Sequence, residues 1–325
     1  MAGAIRIHET GGADVLRYEE VEIGKPGAGE VRLRQTAIGL NFIDVYFRSG
    51  LYPAPGLPFT PGLEAAGVVD AVGDGVGDLK VGDRVAYASP PLGAYAAERL
   101  MPADKVVPVP DGVSDEQAAA MMLKGMTAWY LLRRTFEVKS GQTILFHAAA
   151  GGVGLIASQW AKALGVEVIG TVGSEEKAAL ARAHGCAHVI RYDQEDVVER
   201  VKEITSGKKV PVVYDGVGKD TFDLSLDCLA PLGMMVLFGQ SSGAVPPFDL
   251  GILNQKGSLF ITRPSLMTYT AARADLLTAA KDLFRVVADG SVTIEINQRF
   301  PLKDAKAAHE ALEGRKTTGS TLLVP

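Results

Sequence analysis

Cysteine is scarce: only Cys186 and Cys228 occur among 325 residues, far apart and without paired spacing. That argues against a disulfide framework, leaves no four-cysteine zinc cluster, and points to free thiols in a reducing compartment. Long apolar runs are also missing. No stretch of roughly 18 uninterrupted apolar residues appears, so no membrane span is expected. Basic excess is absent as well: 33 Lys and Arg face 38 Asp and Glu, a net charge of -5, which argues against a nucleic-acid binder. The opening MAGAIRIHETGG alternates like a strand and lacks the apolar core of a signal peptide, so a cytoplasmic protein is expected. There is no internal repeat and no low-complexity segment.

What is present is a chain long enough for two domains, 47% hydrophobic and 22% charged, with 37 glycines. This composition fits an α/β enzyme with many tight turns. Residues 1–123 carry short strand-like runs (AIRIHE, EVRLRQTAIG, AAGVVDAVG) between Gly, Pro and Asp signals. The segment LYPAPGLPFTPG, with four prolines in twelve residues, predicts an exposed loop. From about residue 124 the rhythm changes. A helix (KGMTAWYLLRRTFEV) leads to the strand TILFHAA, and strands then alternate with helices of about ten to fifteen residues. Among them TFDLSLDCLAPLG reads as helix and MMVLFGQ as strand, and GSLFITRPS closes the series. Such alternation predicts a parallel sheet with helices on both faces. The tail holds a long helix (ARADLLTAAKDLFRVVADG), the strand IEINQRF, a short helix and the strand STLLVP, and it is expected to return to the first domain. The expected division is 1–123 with 263–325, around a central 124–262.

The stretch FHAAAGGVG places Ala148, Gly151 and Gly154 at the spacing of a dinucleotide fingerprint, after a buried strand and at the start of an amphipathic helix. Small residues there let the backbone approach a pyrophosphate, which the helix N-terminus stabilises. Gly151, Gly152, Val153 and Gly154 are the candidate contacts. The strict pattern has glycine first, and a small-residue turn also serves plain helix–strand packing, so the context decides. An NAD site carries Asp or Glu at the end of the next strand to bind the ribose hydroxyls. Here that strand, VEVIGTV, ends in Gly173 and Ser174, with Lys177 one turn on. No carboxylate repels a 2′-phosphate, and the backbone N–H, hydroxyl and ammonium donors favour one. NADPH is the expected coenzyme. Glu175 and Glu176 stand nearby and temper the preference.

Several dispersed stretches carry a family likeness: AIGLNFIDVYFRSGLYP, PGLEAAGVV, GDRVAY, LKGMTAWYLL, FHAAAGGVGLIASQWAK and GILNQKGSLFITRPSL. Along nearly its full length the chain resembles the medium-chain dehydrogenase/reductase superfamily, and within it the zinc-free NADPH:quinone oxidoreductase (zeta-crystallin-like) branch. The resemblance implies an α/β protein with a GroES-like, β-rich catalytic domain and a Rossmann domain with a doubly wound parallel sheet. The superfamily's zinc enzymes have a Gly-His-Glu motif that Gly62-Leu63-Glu64 matches with leucine in place of the ligand, and their first cysteine falls near Asn41. No metal is expected, and without its Lewis acidity alcohol oxidation is disfavoured. A hydride acceptor that needs little activation, such as a quinone, fits better.

By the same resemblance, Asn41, Tyr46 and Tyr52 face the nicotinamide and the acceptor, Thr127 at a helix start binds the carboxamide, and Tyr192 lies against the adenine or 2′-phosphate. Phe238, Gly239, Gln240 and Ser241 follow a strand's carboxyl end, where open parallel sheets bind ligands. Arg263 is either a nicotinamide-side group or an interdomain ion pair. His147 is expected to pack or hydrogen-bond, Glu64 to be structural, and no side chain stands out as a general acid. A homodimer through the Rossmann domain is implied, with GSLFITRPS as its seam. Two rival readings are an enone or 2-enoyl reductase on the same scaffold, and a nonenzymatic NADPH-linked RNA-binding or structural protein.

Overall fold

The computed structural model describes residues 1–325. Two compact units make up the chain, one of Met1–Met126 with Thr270–Ala288 and Ile294–Pro325, the other of Thr127–Tyr269 with Asp289–Thr293.

In the first unit, β1 (Ala2–Arg6) pairs antiparallel with β2 (Arg17–Val21). The long strand β3 (Glu30–Leu40) runs into Asn41 and helix α1 (Phe42–Ser49). Asn41 and Asp44 form a reciprocal capping box, and the helix stops at Gly50, whose φ of 81° is left-handed. Strands β4 (Glu64–Val72), β5 (Arg84–Ala88), β6 (Glu98–Pro102) and β7 (Val107–Pro108) continue the sheet. Helix α2 (Asp115–Tyr130) follows. It starts nine residues before the stretch read as helical, on a Ser114–Gln117 capping box with bonds of 3.0 and 3.1 Å. Thr127 therefore lies in its last turns, not at a helix start.

The second unit alternates β8 (Thr143–Phe146), α3 (Gly152–Ala163), β9 (Glu167–Val172), α4 (Glu175–Ala183), β10 (Cys186–Arg191) and α5 (Val197–Ile204). It continues with β11 (Val210–Asp215), α6 (Phe222–Asp227), β12 (Leu229–Leu237), α7 (Gly251–Gln255), β13 (Phe260–Thr262) and α8 (Leu266–Tyr269). Residues 229–233, read as the end of a helix, instead open β12: Leu229 pairs with Val210 of β11, and the register then shifts before pairing resumes at Met234. The sheet order is β10-β9-β8-β11-β12-β13, every pair parallel. That order is doubly wound, and the direction of winding reverses between β8 and β11. Its core gathers Leu145, Ile169, Ile190, Val213, Leu226 and Met235, all buried.

The tail gives α9 (Arg273–Ala288), β14 (Ile296–Pro301), α10 (Ala305–Glu313) and β15 (Ser320–Val324). β15 pairs with β3, so the last strands complete the first unit's sheet, β14-β15-β3-β4-β5-β7. The border falls after Tyr269 instead of residue 262 for a local reason. Arg263 donates to the Leu237 carbonyl at 3.1 Å, and Tyr269 stacks on Tyr130 and accepts from the Thr135 hydroxyl.

Candidate active site

In the first unit the chemistry gathers at the junction of β3, α1, β4 and α2. Glu64 is wholly buried, yet both carboxylate oxygens are satisfied. Oε1 accepts from the Leu123 N–H at 2.7 Å, while Oε2 accepts from Asn41 Nδ2 at 2.7 Å and from Lys124 Nζ at 3.1 Å. Gly39 makes room: a β-carbon there would lie 2.2 Å from Glu64 Oε2 and 2.4 Å from the Ala119 carbonyl oxygen. The cluster thus puts an ammonium beside the asparagine that caps α1. Lys124 and Asp44 carry no local sequence signal for this role, because Lys124 meets a carboxylate sixty residues away.

A second polar chain reaches the same cap. Arg48 Nη1 is 3.1 Å from His309 Nδ1, His309 Nε2 is 3.1 Å from the Tyr95 hydroxyl, and that hydroxyl donates to Asp44 Oδ2 at 3.0 Å. Arginine only donates, so His309 must accept at Nδ1 and carry its proton on Nε2. Every link is thereby oriented toward Asp44, which also accepts the Asn41 N–H at 2.9 Å. Burial, reinforced by Arg48, lowers the His309 pKa to about 3, so the ring is neutral. Burial pushes the Asp44 carboxyl up to about 7, against the opposing pull of its hydrogen bonds and of Lys124. Arg48 is held in turn by Glu313 through two bonds of 2.8 Å.

Tyr46, buried in α1, lies 5.2 Å from Tyr52 between ring centroids, and Tyr52 stands edge-on to Phe47 at 5.6 Å. Asn41 thus caps the start of α1, while Tyr46 meets Tyr52 beyond its far end, where the proline-rich loop begins with residues 51–58 mostly exposed.

In the second unit the candidate residues collect at the carboxyl ends of the strands. Ala148 takes a φ of 54°, the left-handed conformation that glycine adopts at no cost, and donates the chain into α3. Gly151 is the N-cap of α3 and has no side chain to satisfy the first-turn N–H groups, and no acidic residue occupies that turn. Those free donors and the helix dipole suit an anion, and a β-carbon on Gly151 would meet nothing nearer than the Ala148 oxygen at 3.2 Å. Gly154 serves packing instead, since its β-carbon would sit 2.6 Å from that same oxygen. A dinucleotide pyrophosphate fits this cradle.

At the end of β9, Gly173 carries the Tyr192 hydroxyl above it, 2.4 Å from where a β-carbon would be. Ser174 caps α4 by accepting from the Lys177 N–H at 3.3 Å. Glu175 is drawn off by Arg182 at 3.0 Å and Arg191 at 3.3 Å, and the Arg182 hydrogen bond is the chief reason its pKa falls. Beside β11, buried Asp215 accepts from Val217 N, Gly218 N, Thr221 Oγ1 and Ser225 Oγ at 2.7–3.0 Å. This sets the loop that Phe238 and Gly239 lie against: a β-carbon on Gly239 would be 2.5 Å from the Gly216 oxygen. Ser241 N–H donates to the same oxygen at 3.2 Å. His147 bridges Thr171 at 2.8 Å and Ser225 at 3.0 Å, and burial lowers its pKa, so it is a neutral structural hydrogen-bonder. Thr127 is buried in α2, and Gln240 lies in the turn after β12. No group of three or more His, Cys, Asp or Glu side chains could hold a metal ion.

A β-rich unit built around a capped asparagine and a doubly wound sheet with a phosphate cradle define a two-domain dehydrogenase or reductase. Comparison with known proteins narrows this. The alcohol dehydrogenase GroES-like domain family matches residues 27–111, and the zinc-binding dehydrogenase family matches residues 152–278. A quinone oxidoreductase of Pseudomonas aeruginosa is 58% identical over 325 residues, covering 100% of both chains. The crystal structure of Escherichia coli quinone oxidoreductase complexed with NADPH superposes with a TM-score of 0.98 at 55% identity, again over 100% of both chains. A 2-haloacrylate reductase of a Burkholderia species is 50% identical, covering 100% of this chain and 99% of its own. The protein belongs to the quinone oxidoreductase branch of the medium-chain dehydrogenase/reductase superfamily.

Proposed function

We propose that the protein is an NADPH-dependent reductase of quinones that works by direct hydride transfer without a metal. The observation that carries this is the end of β9, where Gly173 stands in place of a carboxylate and Tyr192 covers it. Bound there, NADPH supplies a hydride to an electrophilic acceptor. Gly151, Gly152, Val153 and Gly154 hold the pyrophosphate, while Gly173, Ser174, Lys177 and Tyr192 receive the 2′-phosphate end. Phe238, Gly239, Gln240, Ser241, Thr127 and Arg263 line the nicotinamide end. Asn41, Tyr46 and Tyr52 orient the acceptor, Asn41 with its amide plane fixed by Glu64. The metal-free reading rests on donor chemistry: Leu63 offers no ligand, and Glu64 is already spent on Asn41, Leu123 and Lys124. Rapid mixing with NADPH and 1,4-benzoquinone tests the whole reading; no coenzyme oxidation with any of several quinones would sink it.

A second reading, reduction of a conjugated alkene, is favoured by the full-length likeness to a 2-haloacrylate reductase. Turnover of 2-chloroacrylate against turnover of quinones separates the two. Edge strand β13 exposes Phe260 by 55%, which supports a homodimer through the second unit. Light scattering that gives one chain's mass at micromolar concentration overturns that. The buried free thiols of Cys186 and Cys228 suit a cytoplasmic setting, and no helix is long and apolar enough to cross a membrane.

A further inference from the structure

No general acid stands out in the sequence, but the fold buries an ammonium next to the residue placed at the acceptor. Lys124 is only 6% exposed, and its ammonium meets one protein acceptor, Glu64 Oε2 at 3.1 Å. An ammonium carries three hydrogens, and buried donors are as a rule all spent. Asn41 Nδ2 binds the same oxygen, so the two nitrogens are neighbours around it. Asn41 also donates its backbone N–H to the Asp44 carboxylate, which fixes the main chain from which its side chain extends.

We propose that Lys124 is the hydrogen-bond and proton donor to the acceptor oxygen, the Asn41 amide beside it being held by Glu64 and the Gly39 carbonyl. This rests on the reading above that the acceptor meets Asn41. A quinone that has taken a hydride from the nicotinamide coenzyme is a hydroquinone monoanion, with two electrons and one proton gained. An N–H bond of Lys124 then breaks as an O–H bond forms, which leaves a neutral amine and a neutral hydroquinone. Solvent returns a proton to the amine. An alkylammonium and a phenol have comparable acidities in water, so the pair is chemically suited to share a proton. Before transfer, the ammonium stabilises the charge that grows on the oxygen, and Glu64 keeps the ammonium in place.

The probe is 4-nitrophenol, whose phenol and phenolate forms absorb differently, titrated into coenzyme-free protein. Removing Lys124 alone strands a buried carboxylate, so the neutral variant replaces both partners, Glu64→Gln with Lys124→Met. Its urea midpoint and circular dichroism establish that it folds. Wild type and Lys124→Arg are expected to bind phenolate about tenfold more tightly than phenol, and the double variant to bind both forms alike. Lys124→Arg keeps the charge but not a releasable proton, so its kcat for quinone is expected to fall about tenfold or more while phenolate binding survives. Equal phenolate preference in wild type and double variant overturns the proposal, as does a wild-type kcat in Lys124→Arg. A wild type that reduces no quinone but prefers phenolate sinks the proposed function and leaves the donor standing.

Discussion

The Tyr192 hydroxyl occupies the space that a side chain on Gly173 would need, 2.4 Å from the ideal β-carbon position. The tyrosine itself is 49% exposed, so the pair forms a lid on a strand end and not a piece of the core. A carboxylate introduced there both displaces the ring and repels a phosphoryl group. Gly173→Asp is expected to weaken NADPH binding by about tenfold or more while NADH binding holds or improves. Fluorescence titration of both coenzymes checks it, and an unchanged ratio of the two affinities contradicts it.

Ala148 pays for its φ of 54° with contact between its β-carbon and the backbone. Ala148→Gly removes that strain but loosens the unfolded chain, so the net gain is expected to be about 0.5–1 kcal/mol. Urea unfolding of the two proteins side by side measures it. A loss of stability would mean that the methyl group packs favourably.

Gly39→Ala drives a methyl group into Glu64 Oε2 and the Ala119 carbonyl. Neither neighbour can yield, since one is a fully hydrogen-bonded buried carboxylate and the other is backbone. A cost of about 2–4 kcal/mol is expected, with quinone turnover lost along with Asn41 placement. Thermal unfolding and a steady-state assay give both numbers.

Asp44 makes stability depend on pH with a definite sign. Its folded pKa, near 7, lies above the ordinary 3.8, so between those values the native state holds more protons than the unfolded one. The contribution is fully present below pH 3.8 and is lost as pH rises through about 7. Asp44→Asn cannot ionise, and the difference in unfolding free energy between wild type and this variant is expected to move by about 3–4 kcal/mol against the wild type from pH 4 to pH 8. Urea titrations across that range test it. A flat difference would show that Asp44 ionises as an ordinary surface acid does.

Much of the second unit was legible because periodicity there is local: each strand and helix announces itself within about fifteen residues, as TILFHAA and VGLIASQWAKALG do. The start of α2 is marked just as locally by the Ser114–Gln117 box, but the alanine run behind it has no polar face to show a period. Residues 229–233 hide their strand for another reason: only Leu229 pairs with β11 before the register shifts, so Leu-Ala-Pro-Leu-Gly shows no strand alternation, although Pro231 and Gly233 suit a helix interior poorly. The polar cluster was not legible at all. Glu64 with Lys124, and Tyr95 with His309, are separated by 60 and 214 positions, and only the folded chain brings them together.

Because arginine can give but never take a hydrogen, the row from Arg48 through His309 and Tyr95 behaves like a ratchet. Glutamine at 309 can take on one side and give on the other, so the row survives it. Leucine there would silence two neighbours at once. Helix α10, remote in sequence from α1, thereby dictates how tightly the end of that helix is tied.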